Sequence, residues 1–166
     1  MTRRKSTAYH EAGHAVIGRV LGLPCGQASI VEDHEDLTAG HSITGDPWQV
    51  IGAWEERGKF RDIASVFRGR VITFMAGAEA EKEFGFVPQG DYDDRYQIAC
   101  MLDSEIFLPT WSNEKRDRYE ERLRAKTRSL VCRHRGSIGR VAQALREHET
   151  LQDDQIYELI NRAADD

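Results

Sequence analysis

The strongest constraint on the fold of this chain is a pair of histidines, His10 and His14, set four residues apart. On an α-helix, residues at this spacing differ by about 40° in direction and about 6 Å in height, so both imidazoles can hold one metal ion. Apolar residues recur at helical spacing around the pair, with Ser6 or Thr7 available as the N-cap and Gly22 as the stop. The segment is therefore predicted to be an amphipathic helix.

A glutamate, Glu11, directly follows the first histidine and completes an H-E-x-x-H pattern. Its side chain projects about 100° away from His10, too far round the helix for a third ligand but well placed to reach a water molecule. With 6 histidines in 166 residues, chance would produce this pattern in roughly 2% of such sequences. The pattern thus favours a zinc site with Glu11 as the general base.

The third metal ligand is not determined by the residues themselves. A catalytic zinc normally has three protein ligands and one open position. Gly18 and Arg19 stand where an extended motif would place a further histidine. Each remaining candidate has an ordinary alternative as solvated surface or helix cap. The candidates are Glu79, Glu81, Glu83, Asp91, Asp93, Asp94, His34 and His41.

The rest of the chain is predicted to be mainly α, with a small β element near the first helix. Asp46 and Pro47 are interpreted as a turn. The length of 166 residues predicts a single domain over residues 1–166. Periodicity and stop signals predict further helices at about 61–84, 113–134, 137–149 and 153–163. Another helix is expected to begin at the acidic run 91–94 and to end at Pro109. Strands are expected at 28–31 and 40–44.

Composition excludes several classes of protein. The net charge of −5 argues against nucleic-acid binding, which usually needs clustered Lys and Arg. The three cysteines contain no Cys-x-x-Cys pair, so we expect neither a disulfide framework nor a cysteine-based zinc site, and a reducing cytoplasm fits them. No segment has the roughly 20 apolar residues that cross a bilayer, and no signal peptide is recognised, so no membrane association is expected.

Four segments resemble the peptidase domain of FtsH-type ATP-dependent zinc metalloproteases, in that family's order. The segment A-Y-H-E-A-G-H-A-V at 8–16 looks like the zinc helix, and M-A-G-A-E-A-E at 75–81 is similar to A-G-R-A-A-E-E, with Ala78 in place of its arginine. The run G-D-Y-D-D at 90–94 looks like G-A-S-N-D. Residues 140–151 resemble the family's late L-A-x-A-L-L-E-K-E-T-L segment.

This resemblance implies a mostly helical peptidase fold, a Zn²⁺ cofactor and a polypeptide substrate. It also implies Asp94 as the third zinc ligand, because the last aspartate of the family's motif has that role. An edge strand beside the site would bind extended substrate, and Gly40, His41 and Ser42 are the candidates for this contact. His41 could donate a hydrogen bond to the oxyanion, or could simply be an exposed strand residue.

The chain also departs from the family, since neither a Walker-type G-x-x-x-x-G-K-[ST] loop nor a membrane helix before the zinc segment is found. We therefore expect an endopeptidase that acts on flexible or unfolded polypeptide, unless a separate ATPase delivers folded substrates. The family's hexameric rings imply that a homo-oligomer is to be considered. Two alternatives stay open, namely a regulatory peptidase that cleaves one specific partner and a non-catalytic metal-binding interaction module of the same fold.

Overall fold

The computed structural model of the chain describes residues 2–23, 25–31, 40–88, 91–103 and 111–162. Within these ranges it contains seven helices and three short strands, which confirms the prediction of a mainly α fold with a small β element. The elements are α1 (Thr2–Val20), β1 (Cys25–Ser29), β2 (His41–Thr44), α2 (Pro47–Glu55), α3 (Ile63–Glu83), α4 (Tyr92–Leu102), α5 (Asn113–Arg133), α6 (Arg135–His148), β3 (Thr150–Gln152) and α7 (Asp153–Asn161).

Helix α1 lies at the centre of the molecule, packed between α3 and α6. It begins at Thr2, so the predicted N-cap at Ser6 or Thr7 was wrong, and Ser6 is instead buried within the helix. The additional N-terminal turn is stabilised by an ion pair between Arg4 and Glu149 at the end of α6. Among the helices described, none combines the length and apolarity that a bilayer span requires.

The contact between α1 and α3 is very close. A Cβ atom at Gly13 would lie 2.6 Å from the carbonyl oxygen of Ala76 and 2.8 Å from the Cβ of Ala80. Only glycine allows the two backbones to approach to this distance. The close approach brings side chains on the facing surface of α3 into direct contact with those of α1.

The end of α1 is fixed by a glycine and an arginine. Gly22, the predicted stop, has a φ of 72°, a left-handed conformation that glycine adopts without strain. The guanidinium of Arg61 donates hydrogen bonds to the carbonyl oxygens of Leu21 and Gly22, at 2.6 and 2.9 Å. These bonds satisfy carbonyl groups that a helix end leaves without an intrahelical partner.

The three strands form one antiparallel sheet in the order β2-β1-β3. The centre of the sheet pairs Ala28 with Ser42 on one side and with Leu151 on the other. The first strand therefore lies earlier in the chain than predicted. The third strand was not predicted. Since β2 is at the edge of the sheet, its outer side has no strand partner among the described residues.

A helix replaces the turn predicted at Asp46 and Pro47. The Asp46 carboxylate accepts hydrogen bonds from the backbone N–H groups of Trp48 and Gln49, at 2.9 and 3.3 Å, and thereby caps α2. Pro47 occupies the first helical turn, where a missing N–H costs nothing. The Trp48 ring packs edge-on against Phe67 of α3, 5.2 Å away, so α2 is held against α3 just after the edge strand.

Candidate metal centre

Three side chains from two helices converge on one point. The Nε2 atoms of His10 and His14, both on α1, lie 3.0 and 3.2 Å from the same carboxylate oxygen, Oδ2 of Asp94 in the first turn of α4. One ligand atom from each of the three residues lies within 4.8 Å of the others. Two nitrogens and one carboxylate oxygen at this separation form a donor set that suits zinc.

Both imidazoles are oriented by a second hydrogen bond on the far side of the ring. The Nδ1 of His10 lies 3.0 Å from Oε2 of Glu81, and the Nδ1 of His14 lies 2.7 Å from the carbonyl oxygen of Thr73. Because a carbonyl oxygen and a carboxylate only accept, each Nδ1 carries a hydrogen. Each Nε2 also donates to the Asp94 carboxylate in this structure, and a bound ion would take the place of those protons. Partners on Nδ1 of this kind hold metal-binding histidines in place. The residues present therefore fit a zinc ion.

Strong electrostatic coupling links the three candidate ligands. Burial disfavours the charged form of His10, but its hydrogen bonds to Asp94 and Glu81 outweigh this and raise its pKa to about 10. Burial would also raise the pKa of the Asp94 carboxyl, yet the adjacent His14 and His10 lower it below its ordinary value. The cluster thus binds a positive charge strongly, and a metal ion would compete with protons for the site.

A glycine on α3 makes room for the two rings. A Cβ atom at Gly77 would lie 2.5 Å from Nε2 of His14 and 2.7 Å from Nε2 of His10. The imidazoles therefore lie directly against the α3 backbone. Sequence reasoning did not identify this glycine, although the small-residue run around it is a signal of close helix contact.

The predicted general base, Glu11, lies beside the convergent ligands on the same turn of α1. Its side chain is buried, and this burial raises the pKa of its carboxyl, although His14 and His10 act in the opposite direction. A Cβ atom at Gly40 would lie only 3.1 Å from Oε1 of Glu11. The residue immediately before β2 therefore lies against this carboxylate, and the edge strand starts at the site.

Of the residues predicted to bind substrate, Gly40 is thus brought to the site. The charge of His41 also acts on Glu11, and its exposed imidazole lies with Nε2 3.5 Å from Nε2 of Gln27. The Ser42 hydroxyl is directed toward Cys25, with Oγ 3.5 Å from Sγ. Any contact between Ser42 and a peptide on this edge would therefore involve its backbone.

The other candidates for third ligand have different surroundings. Glu79 pairs with Lys82 at 2.8 Å, Glu83 with Arg135 at 3.1 Å and Asp91 with Arg95 at 2.7 Å. Asp93 is exposed on α4, and His34 lies outside the described residues. Glu81 does reach His10, but on the Nδ1 side, away from the convergence point. Asp94 is the candidate that meets both histidines.

These features define the class of the site, a candidate metal centre with two histidines and an aspartate around one point and a glutamate beside them. The chain is 31% identical over 112 residues to an ATP-dependent zinc metalloprotease FtsH from Acaryochloris marina (strain MBIC 11017). The matched region covers 67% of this chain but 16% of that relative, so the chain spans about a sixth of the relative's length. No protein-family model matches the chain.

Proposed function

We propose that this protein is a zinc-dependent endopeptidase. The observation that supports it most is the position of the Asp94 carboxylate oxygen, 3.0 and 3.2 Å from the Nε2 atoms of His10 and His14. These three residues would hold the ion, with Glu81 and Thr73 fixing the two imidazoles. The similarity to an FtsH zinc metalloprotease is consistent with this assignment.

Zinc, when bound, would supply Lewis-acid polarisation of the scissile carbonyl and acidify the attacking water. Glu11 would accept the proton of that water and then donate it to the leaving amine. Burial raises the pKa of its carboxyl, which favours the second role, donation of the proton to the leaving amine. Hydrolysis then leaves Glu11 in its starting state.

An extended substrate would add to the sheet at β2. The outer edge of this strand presents backbone N–H and C=O groups, which can pair with a peptide in the manner of an additional strand. Gly40, beside Glu11, would place the peptide backbone at the site, with His41 and Ser42 continuing the contact. A chain must be locally unfolded to bind in this way, so we infer that flexible or unfolded polypeptide is the substrate.

The partners follow from the same proposal. These 166 residues contain no Walker-type loop, so folded substrates would need an ATPase that lies outside them. The net charge of −5 supports a polypeptide partner over a nucleic acid. A cytoplasmic location stays a prediction, consistent with the free thiols of Cys25, Cys100 and Cys132. A homo-oligomer also stays a prediction.

Zinc analysis together with hydrolysis of a fluorescently labelled unfolded protein tests this function. The Glu11→Gln variant should keep its zinc and lose about 10²- to 10⁴-fold in turnover, as expected for a general base. The Asp94→Ala variant should lose zinc and activity together, whereas Asp93→Ala, one residue away and exposed, should keep both. Stoichiometric zinc in a parent protein that cleaves neither unfolded protein nor short peptides would refute the peptidase and favour a metal-binding module.

A further inference from the structure

The surface of α3 that faces the candidate metal centre continues toward the N-terminal end of the helix, beyond the residues that contact the two histidines. Thr73, Gly77 and Glu81, spaced four residues apart, each contact an imidazole. Arg70 precedes Gly77 by seven residues, which on an α-helix is a difference of about 20° in direction and about 10 Å along the axis. Arg70 therefore lies on the same face, about 10 Å from the point where the rings touch the helix.

Two of the three guanidinium nitrogens of Arg70 lack acceptors among the described residues. Its Nε and Nη1 atoms are buried and have no hydrogen-bond partner among the residues that the structure describes, while the residue as a whole is half-buried. Its central carbon lies 4.6 Å from the centre of the Phe74 ring, one turn closer to the metal centre. Buried donors without acceptors destabilise a protein, so Arg70 would be stabilised by a hydrogen-bond acceptor that the described residues do not supply.

The two carboxylates whose charges act on Arg70 have other hydrogen-bond partners. Burial lowers the pKa of Arg70, and the charges of Asp46 and Asp94 oppose this at longer range. The Asp46 carboxylate accepts from two backbone N–H groups at the start of α2, and the Asp94 oxygen lies between two imidazoles. Neither carboxylate hydrogen-bonds to Arg70. The guanidinium stays charged, as arginine does in proteins, and no ion pair with it is found among the described residues.

The position of Arg70 relates it to the edge strand. Asp46, whose charge acts on Arg70, follows the end of β2 by two residues, whereas Gly40 before β2 contacts Glu11. A peptide on the edge of β2 would therefore run from Glu11 toward the region of Arg70. Since a strand rises about 3.4 Å per residue, 10 Å corresponds to about three residues of substrate.

From this placement we propose that Arg70 is a specificity-determining residue that binds a carboxylate of the polypeptide substrate about three residues from the scissile bond. The proposal rests on the proposed peptidase function and deepens it. A planar guanidinium pairs with a carboxylate through two parallel N–H groups. That carboxylate can come from an Asp or Glu side chain or from the C-terminus of the substrate, and the two sources are distinguishable.

Peptide binding tests the proposal without turnover. Fluorescence anisotropy would be measured with zinc-loaded Glu11→Gln protein and labelled peptides that carry a single Glu at successive positions, each compared with Gln at the same position. A second set would compare a free C-terminus with a C-terminal amide. We expect one Glu position, or the free C-terminus, to tighten binding by about tenfold or more, as for a hydrogen bond to a charged group.

The same measurement on arginine variants assigns the effect. Arg70→Gln should abolish the carboxylate preference, and Arg70→Lys should retain part of it, because lysine keeps the charge but not the planar fork. Arg68→Gln is the matched control, since Arg68 lies two residues earlier on α3, points to another side of the helix, and also has a buried Nε without a partner. This control should leave the preference unchanged.

The outcomes separate the two proposals. The role of Arg70 would be overturned if Glu and Gln peptides bound equally at every position and acid and amide termini also bound equally. This comparison uses no Arg70 variant, so it does not depend on whether such a variant folds. A carboxylate preference that persists in Arg70→Gln would overturn it as well. If the parent protein hydrolyses nothing but the preference depends on Arg70, the peptidase function fails while the carboxylate site stands.

Discussion

The two ends of the α3 surface that faces α1 differ in how their polar groups are satisfied. Toward the C-terminal end, the Thr73 carbonyl and the Glu81 carboxylate each fix one imidazole, so the rings are oriented before any ligand arrives. Toward the N-terminal end, the Arg70 guanidinium keeps buried donors without acceptors in the described structure. The first arrangement suits a permanently bound ion, and the second suits a group that arrives and leaves with a substrate.

The largest expected effect comes from filling the space at the first end, with Gly77→Ala. The added methyl would lie 2.5 to 2.7 Å from the two imidazoles, which cannot retreat without breaking their bonds to Thr73 and Glu81. Because both ligands are displaced, zinc affinity should fall by more than about 100-fold, beyond the loss typical of outer-shell changes. Competition with a chromophoric chelator measures this.

Gly69→Ala is the control for that substitution, on the same helix two turns earlier. Its methyl would meet Leu23 and Leu21 at 3.6 and 3.8 Å, ordinary contact distances. Helix propensity then predicts a gain of about 0.5–1 kcal/mol in the free energy of unfolding and unchanged zinc affinity. Normal zinc affinity in Gly77→Ala would mean that the rings lie farther from α3 than the structure has them.

A smaller effect is expected from Glu81→Gln, which weakens the orientation of one ligand without filling space. The uncharged amide accepts less strongly from His10 Nδ1, so zinc affinity should fall by about 10- to 100-fold. Glu79→Gln is the matched control, because Glu79 is equally buried on α3 but pairs with Lys82. Equal losses in the two variants, measured by the same chelator competition, would show that general charge and not the His10 contact matters.

The smallest effect concerns the second end, through Asp46→Ala. Loss of this N-cap should lower the free energy of unfolding by about 1 kcal/mol in urea denaturation, with zinc affinity unchanged. Asp62→Ala provides the comparison, since Asp62 caps α3 through a 2.7 Å bond from Ser65 N–H. The carboxylate preference at Arg70 should survive in Asp46→Ala. Its loss would identify Asp46 as a required partner of the guanidinium.

Local pattern was sufficient for part of the fold. The H-E-x-x-H spacing and apolar periodicity predicted α1, and periodicity with stop signals predicted α3 closely. Helix α2 was missed because Asp-Pro was interpreted as a turn, although an N-cap followed by proline also begins helices. β3 has only three residues, too few for a periodic signal, and its pairing with β1 depends on the tertiary fold.

The site shows a similar division. His10, Glu11 and His14 are brought together by one turn of helix, and their roles were predicted from spacing alone. Spacing could not choose the third ligand from eight candidate residues, because α4 contacts α1 only in the tertiary structure. The family resemblance was needed to imply Asp94. Its binding of metal stays a prediction. Arg70 was not predicted, because a missing partner is a property of the folded chain and leaves no trace in sequence pattern.

The two histidines also differ in whether a substitution can remove the group that orients them. His14 is held by a main-chain carbonyl, that of Thr73, which persists whatever side chain occupies position 73. His10 is held by the Glu81 side chain, which a single substitution removes. Substitution at position 81 would therefore change how tightly an ion could be bound, whereas substitution at position 73 would leave the orientation of His14 unchanged.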